Sequence, residues 1–119
     1  MSAVLVVEFN SHEHNYLTVD EEPYFVLHTD EKFLVTQDRC PHRGGPLHLG
    51  EWNCHTRSLA CPWHGTCLIE PTLNRRSVPA VRSGQKITAM FPVSDGTLCE
   101  FQKRMVLANA TAKRAANSP

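Results

Sequence analysis

Two short stretches decide how this chain reads: Cys40-Pro41-His42-Arg43-Gly44-Gly45 and Cys61-Pro62-Trp63-His64-Gly65-Thr66. Written as spacing, they are C-x-H, then eighteen residues, then C-x2-H. Each offers one thiolate and one imidazole within a few residues, so each can close on one side of a metal centre. Each ligand pair is followed by glycine, which lets the backbone come close and lets its N–H point at an inorganic sulfide. Each cysteine precedes a proline, which stiffens the loop and lowers the entropy lost on ordering it.

The surroundings sharpen this reading. Between Arg39 and Ser77 lie four of the five cysteines, four of the seven histidines and four of the six glycines, without long alternating runs. Such a segment is expected to bury little apolar surface by itself, so a metal centre is the natural thing to hold it together. An odd number of cysteines argues against a disulfide framework. Zinc accepts Cys2His2 sets, but its usual spacing pairs like ligands, C-x2–4-C with H-x3–5-H, and mixed C-x-H and C-x2-H loops fit it poorly.

Both motifs, together with Gly45-Pro46-Leu47, resemble those of the Rieske proteins, especially the ferredoxins and oxygenase domains of bacterial ring-hydroxylating systems. The resemblance runs from roughly Val26 to Phe101. It includes Val78-Pro79-Ala80, similar to the proline loop that covers the cluster, and a closing Phe91-Pro92-Val93…Asp95-Gly96 hairpin. It implies one [2Fe-2S] cluster per chain, with Cys40 and Cys61 on one iron and His42 and His64 on the other. Two ferric ions, two sulfides and two thiolates sum to zero, against −2 for four thiolates, so an added electron costs less Coulomb energy. The expected potential lies at roughly −150 to +300 mV. Respiratory relatives carry a disulfide at the positions of Gly45 and Trp63, and a serine and tyrosine where Thr66 and Leu68 stand. Thr66 can supply one hydrogen bond to cluster sulfur and Leu68 none, which places the expectation toward the low half of that range.

The flanking sequence predicts an all-β domain, a small Rieske fold of antiparallel sheets with the two-loop subdomain inserted at about 39–78. Strands are expected at Val4–Phe9, Tyr24–His28, Phe33–Gln37, Ser58–Ala60, Lys86–Val93 and Leu98–Lys103. Asp30-Glu31-Lys32 reads as a hairpin turn, and Ser94-Asp95-Gly96-Thr97 carries the strongest short hairpin signal. Pro92 indicates an edge or a bulge. No segment before residue 103 shows 3.6-residue periodicity over a helical length. The domain is expected to span 1–107, with 108–119 a flexible tail.

Twelve basic and twelve acidic residues cancel, which suggests neither a nucleic-acid nor a membrane partner. The balance hides an asymmetry: residues 1–35 hold seven acids against Lys32, net −6, and residues 36–119 hold five acids against eleven bases, net +6. Either the two segments face each other or the surface is patchy for docking. No signal peptide or apolar span of about 20 residues is evident, so a cytoplasmic location is expected.

Cys54, Cys67 and Cys99 read as small, partly buried hydrophobes, and His12, His14, His28, His48 and His55 as surface histidines, with a hydrogen bond to the nearby first loop as the other reading of His48. Trp63 is expected to pack on the cluster's apolar shell or to sit on a docking surface. Arg39, Arg43 and Arg57 would ring the cluster end with positive charge. A full oxygenase would need a further iron site of two histidines and a carboxylate, for which no motif remains. The functional expectation is therefore a non-catalytic one-electron carrier, a monomer working between a reductase and a terminal oxygenase. The alternatives are a small subunit of a larger, nitrite-reductase-like complex or a redox sensor.

Overall fold

The computed structural model describes residues 3–29, 32–41, 44–63, 65, 67–93, 99–106 and 108–109. The first strand, β1 (Ala3–Asn10), shows why this chain favours sheets. Leu5, Val7 and Phe9 point inward while Val4, Val6 and Glu8 face solvent, the period-2 alternation of a sheet with one covered face. It pairs with β10 (Lys86–Val93), which pairs in turn with β9 (Ala80–Ser83).

A second sheet has the order β11 (Cys99–Gln102), β2 (Tyr16–Val19), β3 (Glu22–His28), β4 (Phe33–Gln37) and β8 (Ser77–Val78). All pairings are antiparallel. Val7, Phe9, Leu17, Val26, Ile87 and Phe91 form the core between the two sheets. In β3 the run Tyr24-Phe25-Val26-Leu27 is buried throughout. Tyr24 and Val26 face the first sheet, while Phe25 and Leu27 belong to a second core on the opposite face. A strand covered on both sides needs no polar residue at alternate positions.

That second core lies under the inserted subdomain, whose own sheet has the order β5 (Glu51–Asn53), β6 (Ser58–Ala60), β7 (Cys67–Ile69). Leu47, Trp52, Leu59, Leu68 and Leu73 are all buried there against Phe25 and Leu27. The Arg39–Ser77 segment, expected to bury little by itself, buries these residues against the second sheet, so a metal centre is not the one thing that holds it. Its apolar residues are scattered in sequence but converge on the outer face of the second sheet.

Other expectations are also revised. The β3–β4 hairpin forms, His28 opposite Phe33, with Asp30 and Glu31 outside the described residues. The hairpin expected across Asp95-Gly96 does not: β10 pairs with β1 and β9, and β11 with β2, so consecutive strands belong to different sheets. Residues 94–98 lie outside the described residues. Pro92 fits a local edge. Met90 donates its N–H to Pro79 O at 2.9 Å on the β9 side, and β9 pairing ends at Ala80 opposite Ala89. Two residues on, Pro92 has no strand there to donate to.

A short helix, α1 (Glu70–Arg75), begins with Pro71 in its first turn and buries Leu73. It is too short to show a period. The packed domain continues past residue 107. Val106 and Ala108 are buried in the second core, and Asn109 bonds the His28 N–H and the Val26 carbonyl, both at 2.7 Å. Among the described residues no helix is long and apolar enough to cross a membrane.

Candidate metal centre

The two motifs sit at the same end of the inserted subdomain, and their cysteines enter one buried cluster. Cys40 is 1% and Cys61 2% exposed, and both are free of disulfides. The residue after each is exposed, Pro41 in one loop and Pro62 in the other, so each loop passes from core to solvent within a single step.

The loops close in the same way. Gly44 donates its N–H to Cys40 O at 2.8 Å, and Gly65 donates to Cys61 O at 2.9 Å. Both glycines hold positive φ, +73° and +72°, a conformation that costs other residues about 1–2 kcal/mol. Cys40 N–H is held in turn by Gly45 O at 2.9 Å. Gly45 is where the loops meet. A methyl group there would lie 2.7 Å from Cys61 Sγ and 3.3 Å from the Trp63 ring, so only glycine lets the second cysteine's sulfur come up against the first loop. Gly50 serves a related purpose, because a side chain there would strike the Ala60 carbonyl just before Cys61.

The loops are supported differently. The second spans the tip of the β6–β7 hairpin, between Ala60 and its partner Cys67. The first follows Asp38, a buried carboxylate that accepts the His48 backbone N–H at 2.7 Å and lies 2.6 Å from His48 Nδ1. Burial pushes the Asp38 carboxyl up, and His48, with Tyr16 beside it, pulls it only part of the way back. Burial, with the neighbouring Asp38 charge, pushes the Tyr16 hydroxyl up to about 12.

Two thiols buried at the convergence of matched loops, with a glycine clearing space beside one sulfur, fit an iron–sulfur cluster. Comparison with protein families agrees: a profile described as Rieske [2Fe-2S] domain matches residues 3–99. The chain belongs to the Rieske [2Fe-2S] domain family. A comparison with curated proteins gave no match. The family implies a [2Fe-2S] cluster, which supplies a one-electron couple when bound. In this Rieske domain Cys40 and Cys61 would hold it from the buried side. His42 and His64, the expected ligands to the outer iron, lie outside the described residues, as do Arg43 and Thr66.

Several neighbouring residues differ from the sequence reading. His48 is buried, not a surface histidine, because Asp38 pairs it and the Tyr16 ring lies edge-on at 5.3 Å. An acid two residues before the first cysteine was the signal available for it. Trp63 is 62% exposed and lies over Gly45, so the apolar shell encloses little of it. Arg39 pairs with Glu22 at 3.7 Å, which offsets its charge. Arg57 does not ring the cluster end, because it stands at the foot of the β6–β7 hairpin, the end away from Cys61, and pairs there with Glu70 at 2.6 Å. Arg39–Glu22 and Lys86–Glu8 also join the basic segment to the acidic one, as the facing arrangement requires. Leu68 is buried and apolar. Val78 and Ala80 pack on the sandwich core while Pro79 is exposed between the two sheets. Cys54 and Cys99 are half-buried, each against a core.

Proposed function

We propose that this Rieske domain is a ferredoxin, a monomeric one-electron carrier that accepts electrons from a reductase and delivers them to an oxygenase or related redox enzyme. The observation that supports it is the core-to-solvent course of both loops. The cysteines are buried while Pro41, Pro62, Trp63 and Gly65 are exposed, so the end of the site that carries His42 and His64 in sequence is the end a partner can approach. On this reading Cys40 and Cys61 hold the inner iron, His42 and His64 saturate the outer one, and no position is left for a substrate. Trp63 then supplies apolar contact area beside the ligands, the kind of aromatic anchor that dominates transient interfaces.

The direct test is electron exchange. The purified protein is reduced by a flavin-dependent reductase, mixed with an oxygenase component, and followed by its visible absorption. Transfer of one electron per chain supports the carrier role, and a protein that exchanges with no soluble partner speaks against it. Voltammetry tests the histidine ligation. Iron(III) withdraws more electron density from an imidazole than iron(II), so the reduced form holds the second ring proton more tightly. Raising the pH then favours the oxidised form, and the potential should be flat near neutrality and fall at alkaline pH. A pH-independent potential would remove His42 and His64 as ligands.

The alternative, a small subunit of a larger oxidoreductase complex, has one observation in its favour. Val4, Val6, Met90 and Val81 are 63%, 56%, 43% and 68% exposed on the outer face of the first sheet. An apolar face of this kind suits a stable contact more than a free surface. Co-purification with a larger enzyme at moderate salt would favour this reading over the carrier.

A further inference from the structure

Asp38 stands two residues before Cys40, and His48 three residues after Gly45, so together they bracket the first ligand loop. Asp38 Oδ1 accepts the His48 backbone N–H at 2.7 Å, and Oδ2 faces His48 Nδ1 at 2.6 Å, where a carboxylate accepts the ring proton. The Tyr16 ring packs edge-on against the His48 ring, centroids 5.3 Å apart, and its hydroxyl is held protonated beside the Asp38 charge. Asp38, Tyr16 and His48 are 5%, 6% and 7% exposed. The backbone on the other side of Asp38 is fixed as well, its N–H donating to Pro23 O at 2.8 Å. Tyr16 is braced from outside by the Arg104 guanidinium, 4.0 Å over its ring.

A buried carboxylate is a poor source of net stability, because its desolvation cost offsets much of what its hydrogen bonds contribute. It is well suited to fixing geometry. Two bonds from one carboxylate to the backbone and ring of a single residue leave that residue little freedom to shift or rotate, and the Tyr16 ring packed on His48 ties the pair to the sandwich. The second loop has no such clasp among the described residues, because β6–β7 pairing already holds its ends.

We propose that Asp38, His48 and Tyr16 are positioning residues for the [2Fe-2S] cluster, clasping the two ends of the first ligand loop so that it presents its ligands in one geometry. None of the three is a ligand. The proposal rests on the cluster and not on the carrier role, so it can be read on the isolated protein whichever partner it serves.

The test compares wild type with His48→Leu, His48→Asn and Tyr16→Phe, each purified anaerobically. Three quantities are measured: the rate of cluster loss to an iron chelator, the g values of the reduced cluster, and its midpoint potential. His48→Leu fills the site with an apolar side chain but removes the ring donor, and should lose the cluster roughly 10- to 100-fold faster, the usual cost of removing an outer partner of a metal site. Its g values and potential should move too. His48→Asn returns a side-chain donor near the Nδ1 position and should restore most of all three. Tyr16→Phe removes the hydroxyl beside the Asp38 charge and should shift the same quantities less, in the same direction.

Wild-type rates, g values and potential in His48→Leu would overturn the proposal. So would equal failure of Leu and Asn, which would leave the ring as filler, or a lower melting temperature with unmoved g values and potential. Should His48→Leu yield no cluster at all, Tyr16→Phe decides, and wild-type behaviour there overturns the proposal. Failure of the carrier reading would appear elsewhere, as an intact cluster that exchanges electrons with no partner.

Discussion

The first ligand loop is held at its ends by side chains, and the second by backbone. Inside, they are nearly superimposable in kind: a cysteine carbonyl bonded to the N–H of a glycine four residues on, at 2.8 Å and 2.9 Å, and glycine φ values of +73° and +72°. Outside, the Cys61 loop leaves and re-enters a β ladder. The Cys40 loop leaves β4, which pairs with β3 and β8 through Gln37 and Thr36, and then runs on without a ladder of its own. There the Asp38 carboxylate takes over the work that strand pairing does for its counterpart. The difference teaches where each loop is vulnerable. A hairpin tolerates many side chains so long as its N–H and C=O groups pair, whereas a clasp depends on particular atoms.

The largest expected effect makes the loops equivalent. Cys40→Ser and Cys61→Ser should each abolish iron, labile sulfide and the visible chromophore. One zinc and no sulfide in the wild-type protein would contradict the cofactor altogether. Because Leu47, Trp52, Leu59, Leu68 and Leu73 form a core with Phe25 and Leu27, the subdomain should keep part of its structure in these variants. Amide exchange should show Leu59 still protected while the loops open.

Next comes the point where the loops touch. Gly45→Ala would press a methyl group to 2.7 Å from Cys61 Sγ, an overpacking that costs about 1–3 kcal/mol and displaces the sulfur. Gly65→Ala meets nothing within 4 Å and costs only its positive φ, about 1–2 kcal/mol. Iron and sulfide per chain should drop sharply in the first variant. In the second they should hold, with a lower melting temperature.

The clasp also leaves a mark on stability at high pH. Folded Tyr16 holds its proton to about 12, whereas the ordinary value is 10.0. Between these the unfolded chain binds fewer protons than the folded one, so stability falls as pH rises through that window and is fully present below it. Burial raises Tyr24 in the same direction, so Tyr16→Phe should remove part of the fall, not all. Urea midpoints on either side of about pH 10 would show it, and an unchanged slope in Tyr16→Phe would count against this role.

The smallest effect is a control away from both loops. Asp20 and Glu21 join β2 to β3 with φ of +52° and +68°, strained for residues with side chains. Glu21→Gly should raise stability by about 0.5–1 kcal/mol with the cluster's potential unmoved, measured by urea unfolding and voltammetry.

That same turn explains one thing the sequence concealed. A two-residue hairpin with positive φ at both positions usually announces itself through Asn-Gly or Asp-Gly, and Asp20-Glu21 lacks the glycine, so β2 went unseen. Asp95-Gly96 has the glycine and joins strands that pair elsewhere. A turn signal reports that the chain bends, not which strand it meets. Helix α1 was hidden for a different reason, since six residues hold less than two turns, and Glu70-Pro71 was its only mark.

What the sequence determined by itself is what depends on neighbours along the chain. The strand β1, the β3–β4 hairpin, the Ser58–Ala60 strand and the two Cys–Gly loops are local, because side-chain period, turn chemistry and ligand spacing act over a few residues. The tertiary structure alone decided which loops meet, and that Gly45 must be small because Cys61 lies against it. It alone buried both faces of β3, drew Val106 and Ala108 into the second core, and turned His48 inward. Histidine is stable in water or in the core, and its place depends on whether a partner waits there. For His48 that partner is Asp38, with Tyr16 packed on the ring from a strand more than twenty residues earlier; the acid before Cys40 shows in the sequence, and its meeting with His48 does not.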